Sequence, residues 1–250
     1  MDLLEALAIA AAGMAAGAIN TIVGSGSLIT FPVLIGLGYA PLVANVSNNI
    51  GLVPGGVAGI FGYRRELAGQ RRRIIGLGVF SIGGAAIGAT LLLTLPASAF
   101  NAIVPALIAI ALLLVIFQPR LSAWLTKRGQ AREQHGPALQ AAVGATGIYG
   151  GYFGAAQGVI LISLLGIGIR DDLQRLNALK NVLASTANLV AGLIFVFAAH
   201  VNWGVAGLIA AGSIVGGTLG ARYGRRLDPD ALRVLIVVIG IAAIVRLIVD

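Results

Sequence analysis

The sequence predicts an all-α polytopic membrane protein made of two inverted-topology repeats, each a broken-helix hairpin followed by three transmembrane helices. Three observations predict it: the composition, long apolar runs, and a weak internal repeat with opposite charge bias in equivalent loops. Hydrophobic residues make up 58% of the 250 residues and charged residues 10%, whereas soluble domains carry about 25% charged residues. This composition excludes a soluble enzyme, a nucleic-acid-binding protein and a disordered chain. The net charge of +8 resides mainly in short loops, as in polytopic membrane proteins.

The apolar runs define the predicted elements. They cover residues 6–37, 40–62, 74–95, 97–117, 138–168, 176–198, 203–221 and 231–249. Six of them are close to the roughly 20 residues needed for one helical crossing. The runs 6–37 and 138–168 are too long for one crossing and too short for two, so they require another explanation.

Each long run contains a polar, glycine-rich break. The first break is Gly24–Ser27 and the second is Gly154–Gly158. Only about eleven apolar residues follow each break, roughly half the thickness of a membrane at 1.5 Å per residue. We therefore expect two hairpins, each consisting of a helix, a break and a half-helix.

The two halves of the chain also repeat each other. Matching segments are Gly36–Gly38 with Gly166–Gly168, Val57–Ile60 with Val190–Leu193, and Gly84 and Gly88 with Gly216 and Gly220. The offsets of 130, 133 and 132 residues are nearly constant along the chain. We therefore expect a first membrane repeat at 1–118, a basic cytoplasmic linker at 119–137 and a second repeat at 138–250.

Loop charges predict the orientation of the repeats. The loop 63–73 carries five arginines and its counterpart 200–202 carries no Lys or Arg, whereas the loop 94–97 is uncharged and its counterpart holds Arg222, Arg225 and Arg226. Because basic loops tend to stay in the cytoplasm, the halves are expected to be inverted relative to each other. Both termini are then expected outside and the linker inside, in a multi-pass protein of the cell's inner (plasma) membrane.

The first break has the residue types of an anion site. Gly24 and Gly26 allow close backbone approach, and Ser25 and Ser27 add hydroxyl donors. A helix that starts near Ser27 leaves backbone N–H groups unpaired at its positive dipole end, which suits an anion. The alternative is that Ser27 only caps the half-helix and the glycines only allow tight packing.

The second break supplies further candidates. Gln157 is 130 residues after Ser27 and could donate to an anionic oxygen. Tyr149 or Tyr152 could add a phenol group, and Tyr152 is the one included in the expected site. The alternative is a pair of interfacial tyrosines beside a small-residue helix face.

The helix that follows each hairpin begins with polar residues. Asn48 pairs with Asn181 at an offset of 133 residues, and Ser47 pairs with Lys180. Amides inside a membrane face the bundle interior, because lipid cannot satisfy their polar groups. Lys180 could hold an anionic substrate, or it could extend to the cytoplasmic surface near Arg175.

The positions of other ionisable residues argue against other functions. All nine carboxylates and both histidines are expected at termini or in loops, and cysteine is absent. The sequence therefore predicts no enzyme, no cofactor, no metal site and no proton relay built from carboxylates. Repeated glycines four residues apart predict helix packing within the protomer and leave a homodimer open.

The stretches Gly24–Leu34, Ala44–Gly51 and Gly154–Leu165 resemble the TauE/SafE family of sulfite and organosulfonate transporters. Members have a glycine-rich segment followed by Pro-Xaa-Leu in each half. Here Pro32-Val33-Leu34 fits, whereas Ile162-Ser163-Leu164 replaces the motif in the second half.

The resemblance implies transport of small sulfur-containing anions, such as sulfite, sulfoacetate or related sulfonates, often as export. An alternating-access exporter is the expected mechanism. An anion-selective channel and an ion-coupled sulfonate importer are the alternatives. The expected substrate-binding residues are Gly24, Ser25, Gly26, Ser27, Asn48, Tyr152, Gln157, Lys180 and Asn181.

Overall fold

The computed structural model describes residues 1–127, 136–224 and 229–249. Within these ranges the secondary structure is helical, as predicted. The helices are α1 (Leu3–Ile22), α2 (Ser27–Gly36), α3 (Pro41–Gly62), α4 (Arg71–Thr94), α5 (Ala97–Lys127), α6 (Pro137–Tyr152), α7 (Gln157–Gly168), α8 (Leu173–Ala198), α9 (Trp203–Tyr223) and α10 (Pro229–Val249).

Both long apolar runs are broken where the sequence predicts. The chain leaves α1 after Ile22 and begins the ten-residue α2 at Ser27. It leaves α6 after Tyr152 and begins the twelve-residue α7 at Gln157. At 1.5 Å per residue, α2 and α7 are about 15 and 18 Å long, roughly half the thickness of the hydrocarbon core.

Five helices of the described residues are long and apolar enough to cross a membrane. They are Leu3–Ile22, Arg71–Thr94, Ser98–Arg120, Leu173–Ala198 and Trp203–Tyr223. Large apolar side chains on these helices, such as Val79, Leu113 and Phe197, are exposed on the outside of the bundle. Lipid is the solvent that such a surface requires, so the chain is a multi-pass membrane protein.

The helices pack in two equivalent groups. α1 packs along α9 and α4 along α6, while α2 contacts α10 and α7 contacts α5. α3 and α8, the helices that follow the hairpins, contact each other. Exchanging the first five helices with the last five reproduces these pairs, which is the arrangement expected of a duplicated fold.

Glycines in the two long helix pairs occupy matching positions. A Cβ atom on Gly84 or Gly88 would overlap the carbonyl oxygen of Gly144 or Ile148, respectively. Likewise, a Cβ atom on Gly216 would overlap the carbonyl oxygen of Met14. The glycines therefore bring the backbones of α4 and α6, and of α9 and α1, into direct contact.

The expected linker at 119–137 is helical in its first part, because α5 continues to Lys127. Residues 128–135 and 225–228 lie outside the described residues. The basic residues expected there, Arg128, Arg132, Arg225 and Arg226, therefore have no structural account.

One ion-pair cluster links loops of the two halves. Asp171, between α7 and α8, accepts hydrogen bonds from Arg73 at the start of α4 and from Arg175 Nε at 2.9 Å. Burial of the carboxyl group raises the pKa of Asp171, but the hydrogen bonds from Arg73, Asp172 N–H and Arg175 outweigh burial and hold it below its usual range. The cluster thus fastens the α3–α4 loop to the start of α8.

Candidate functional site

The two breaks meet in the middle of the bundle. The Gly158 N–H donates a hydrogen bond to the Gly24 carbonyl oxygen, with an N–O distance of 3.0 Å. A Cβ atom on either glycine would overlap the Cα atom of the other. The backbone segments of the α1–α2 and α6–α7 hairpins are therefore in direct contact.

The breaks have the same backbone hydrogen bonds 130 residues apart. Gly24 N donates to Ile19 O at 2.9 Å, and Gly154 N donates to Tyr149 O at 3.0 Å. The half-helices also begin alike. Ile29 N donates to Gly26 O at 2.9 Å, and Val159 N donates to Ala156 O at 3.0 Å. Several N–H groups that the sequence suggests are free for an anion are thus paired within the breaks.

A left-handed residue produces each reversal. Gly24 has φ +92° and its counterpart Gly154 has φ +76°. Glycine adopts this conformation without the steric penalty that other residues incur. Ala156, just before α7, also has a positive φ of 57°, which a side chain rarely adopts.

A polar cavity lies between the breaks and helices α3 and α8. The cavity is narrow, with a volume of about 30 Å³. The lining residues are Asn20, Thr21, Gly24, Ser27, Leu52, Gly56, Gly154, Gln157, Gly158, Asn181, Ala184, Ser185 and Asn188. The polar groups of these described lining residues are neutral amides and hydroxyls, and none of their side chains is ionised.

Gln157 lines this cavity and carries a buried amide donor. The residue is 2% exposed, and its side chain lies against Gly150. Its Nε2 atom has no hydrogen-bond partner among the described residues. Because an unpaired buried amide donor costs free energy, this atom is available to a ligand with acceptor oxygens.

Lys180 lies behind the cavity wall and is 1% exposed. Its Nζ atom donates to the carbonyl oxygens of Asn20 at 3.2 Å and Thr21 at 3.5 Å, at the carboxyl end of α1. Asn181 Nδ2 donates to the same Thr21 oxygen at 3.3 Å. The side chain therefore does not extend to the cytoplasmic surface, which was the alternative interpretation.

The other expected residues lie close to the breaks but outside the cavity lining. Gly26 N donates to Asn20 Oδ1 at 2.7 Å, while Ser25 Oγ is buried without a partner among the described residues. Asn48 Oδ1 accepts from Thr30 Oγ1 at 2.5 Å, so its side chain positions α2.

Tyr152 stacks beside Phe100, with ring centroids 5.8 Å apart. Its hydroxyl group is buried without a partner among the described residues. Tyr149, the other tyrosine considered at the second break, donates from its hydroxyl group to Ala155 O at 2.5 Å. Tyr149 therefore braces the second break, and Tyr152 packs against α5.

Sequence reasoning missed Ser185 and Asn188. They follow Asn181 by four and seven residues, so all three side chains lie on one face of α8. This helical spacing was the signal that could have identified them. Asn20 and Thr21 were not among the expected binding residues, although they directly precede the first break; the structure places them in the last turn of α1.

No group of three or more His, Asp or Glu side chains is close enough to hold a metal ion in the described part of the chain. The described cavity lining likewise offers amide and hydroxyl groups rather than ligands typical of a structural metal site.

Comparison with known proteins agrees with this architecture. The model of the family "Sulfite exporter TauE/SafE" matches residues 9–247. A "Probable membrane transporter protein" of Haemophilus influenzae is 27% identical over 242 residues, covering 95% of this chain and 92% of the relative. The "Probable membrane transporter protein YfcA" of Escherichia coli K12 is 26% identical over 243 residues, covering 95% of this chain and 87% of that relative. The chain therefore belongs to the sulfite exporter TauE/SafE family of membrane transporters.

Proposed function

We propose that this transporter carries small sulfur-containing anions, such as sulfite, sulfoacetate or related organosulfonates, by alternating access. The anion is held between the two breaks in a wider form of this narrow cavity, as alternating access requires, and no chemical step changes it. The protein acts in the inner (plasma) membrane, with both termini outside and the linker 119–137 in the cytoplasm. The name of the matching family supports the substrate class.

The observation that carries the proposal is the free donor of Gln157. Its buried Nε2 atom lacks a partner among the described residues, although it belongs to a cavity lined by both breaks. A sulfonate or sulfite oxygen would accept this hydrogen bond. Neutral donors also allow the ligand to leave, because they bind an anion less tightly than an arginine does.

Additional polar groups of the cavity support an oxyanion. Asn181, Ser185 and Asn188 present amide and hydroxyl groups from α8, and Ser27 presents a hydroxyl at the start of α2. The N-terminal ends of α2 and α7 direct their positive dipole ends toward this region. Lys180 adds a positive charge behind Asn20 and Thr21 without entering the described lining.

The membrane potential favours export. Moving one charge through 100 mV is worth about 2.3 kcal/mol, so a cell that is negative inside expels a monovalent anion with roughly fifty-fold bias. An exporter therefore needs no cation bound together with the substrate. An importer would need such coupling, and none of the described residues that line the cavity is a carboxylate that could bind a cation.

The test is flux of sulfite and of sulfoacetate from proteoliposomes under a potassium diffusion potential of either sign. We expect efflux that saturates with anion concentration and accelerates when the lumen is negative. Non-saturating conductance would indicate the channel, and flux no faster than in protein-free liposomes would contradict the proposed substrates.

Gln157→Glu tests the site within the same assay. A carboxylate at this position would repel the anion, and we expect the apparent affinity to fall at least tenfold. Gln174→Glu, the same chemical change at the start of α8, is the matched control and should leave the affinity unchanged. Equal effects of the two substitutions would remove Gln157 from the site.

A further inference from the structure

Lys180 occupies a position where carriers with broken helices bind a coupling cation. In such carriers, backbone carbonyl groups at the ends of broken helices bind the coupling cation, Na⁺ or H⁺. Here the carbonyl oxygens of Asn20 and Thr21 at the end of α1 accept hydrogen bonds from Lys180 Nζ. The amide groups of Asn177 and Asn181 also donate to Thr21 O, at 3.2 and 3.3 Å. The amino group of Lys180 thus fills this carbonyl cluster.

Among the described residues, no carboxylate forms an ion pair or a hydrogen bond with Lys180. The helices that pack on α8 are α1, α3, α4, α6 and α7. The other titratable groups of these helices and of α8 are Glu5 in α1, Arg71, Arg72 and Arg73 in α4, Tyr149 and Tyr152 in α6, and Arg175 in α8. Helices α3 and α7 contain no titratable residue. Glu5 lies 15 residues before Asn20, about 22 Å along the helix. The arginines lie at helix ends, and Arg175 pairs with Asp171.

An anion in the cavity would supply the missing negative charge. Asn20 and Thr21 both line the cavity and accept hydrogen bonds from Lys180, so a single layer of backbone separates Nζ from the ligand. Opposite charges this close interact strongly in a poorly hydrated interior. Bound anion therefore favours the protonated form of Lys180, and the protonated form favours the anion by the same factor.

We propose that Lys180 is the proton site of this carrier: Nζ takes up one proton from water when the anion binds in the cavity, and releases it when the anion leaves. This inference rests on the proposed anion transport. Because the cation is covalently attached, only its proton can exchange, and Na⁺ is not required. A monovalent anion that leaves with one proton carries no net charge. A divalent anion such as sulfoacetate still carries one net negative charge outward, so the membrane potential favours export of the divalent form.

The test uses the purified full-length transporter in detergent, with a pH indicator in weakly buffered solution. Sulfoacetate is the probe, because its acidic groups remain ionised between about pH 7 and about pH 10. We expect uptake of up to one proton for each anion bound. The dissociation constant should rise by up to about tenfold per pH unit where the free protein has lost the Lys180 proton.

Variants assign the proton to Lys180. Lys180→Met should abolish proton uptake and the pH dependence of affinity, and weaken binding about tenfold or more at the lower pH. Lys180→Arg keeps a permanent charge, so it should bind the anion without proton uptake. Ser47→Ala, at the equivalent position of the first half, is the control and should retain the pH dependence of the wild type.

The outcomes separate the two proposals. Failure of the wild type to bind either sulfoacetate or sulfite would overturn the proposed function. Binding that is independent of pH and takes up no proton would overturn the role of Lys180 alone. Proton uptake and pH dependence measured on the wild type therefore test the role of Lys180 even where a variant fails to fold. Proton uptake that persists in Lys180→Met would also overturn it.

Discussion

At the first break, three side chains of α8 donate hydrogen bonds to the last carbonyl groups of α1, and one of the donors is the amino group of Lys180. At the second break two neutral side chains donate to backbone carbonyl groups. Asn45 Nδ2 donates to Tyr152 O at 3.1 Å, and the Tyr149 hydroxyl group donates to Ala155 O. The backbone hydrogen bonds of the two breaks nevertheless match, residue for residue, at several positions 130 residues apart.

This difference shows which features the two halves of the chain share and which are specific to one half. The reversals at Gly24 and Gly154 come from backbone conformation and recur in both halves. The polar face of α8 is not repeated, since Leu52 and Gly55 of α3 stand where α8 has Ser185 and Asn188 at the offset of 133 residues. Two equivalent breaks thus form one cavity to which α8 contributes polar side chains, whereas the described residues of α3 contribute only Leu52 and Gly56.

The largest effect is expected where the breaks touch. Gly24→Ala should lower the free energy of unfolding by about 3 kcal/mol or more, because it combines an unfavourable left-handed alanine with overlap against the Gly158 backbone. Gly154→Ala should cost about 1–2 kcal/mol, since its Cβ atom meets mainly Gly150 O at 3.0 Å. Unfolding titrations in mixed detergent–SDS micelles would measure both, and equal costs would contradict the asymmetry.

A second comparison concerns the equivalent amides. Asn181→Ala removes a cavity amide and its hydrogen bond to Thr21 O, so we expect anion affinity to fall about five- to tenfold. Asn48→Ala leaves Thr30 without its acceptor and should cost about 1–2 kcal/mol of stability while changing affinity less than about twofold. The saturation constant for proteoliposome efflux measures the first effect. A similar loss of affinity in both variants would show that both amides hold the anion.

The smallest effect is expected at the tyrosines of the second break. Tyr149→Phe removes the hydrogen bond to Ala155 O and should cost about 1 kcal/mol of stability. Tyr152→Phe removes a buried hydroxyl that has no partner among the described residues, so stability should change by less than about 0.5 kcal/mol. Thermal unfolding of the two purified variants would compare them. A larger loss for Tyr152→Phe would indicate that its hydroxyl is used.

Much of the fold could be predicted from the sequence, because lipid-spanning helices are read from composition and length. The starts of α2 at Ser27 and α7 at Gln157 agree with the polar breaks. The site could be predicted only in part: Gly24, Ser27, Gln157 and Asn181 line the cavity. Their role in binding remains a proposal, as do the inverted insertion of the repeats and the domain limits.

The sequence by itself determined the membrane environment, the positions of the two breaks and the helices between them. These depend on local hydrophobicity and on glycine, which act within a few residues along the chain. Only the tertiary structure decided that Gly158, rather than the equivalent Gly154, donates to Gly24. It also placed Lys180 on the carbonyl groups of α1, 159 and 160 residues away in sequence. Contacts between distant helices depend on how their backbones approach, and the pattern of a single segment carries no information about that approach.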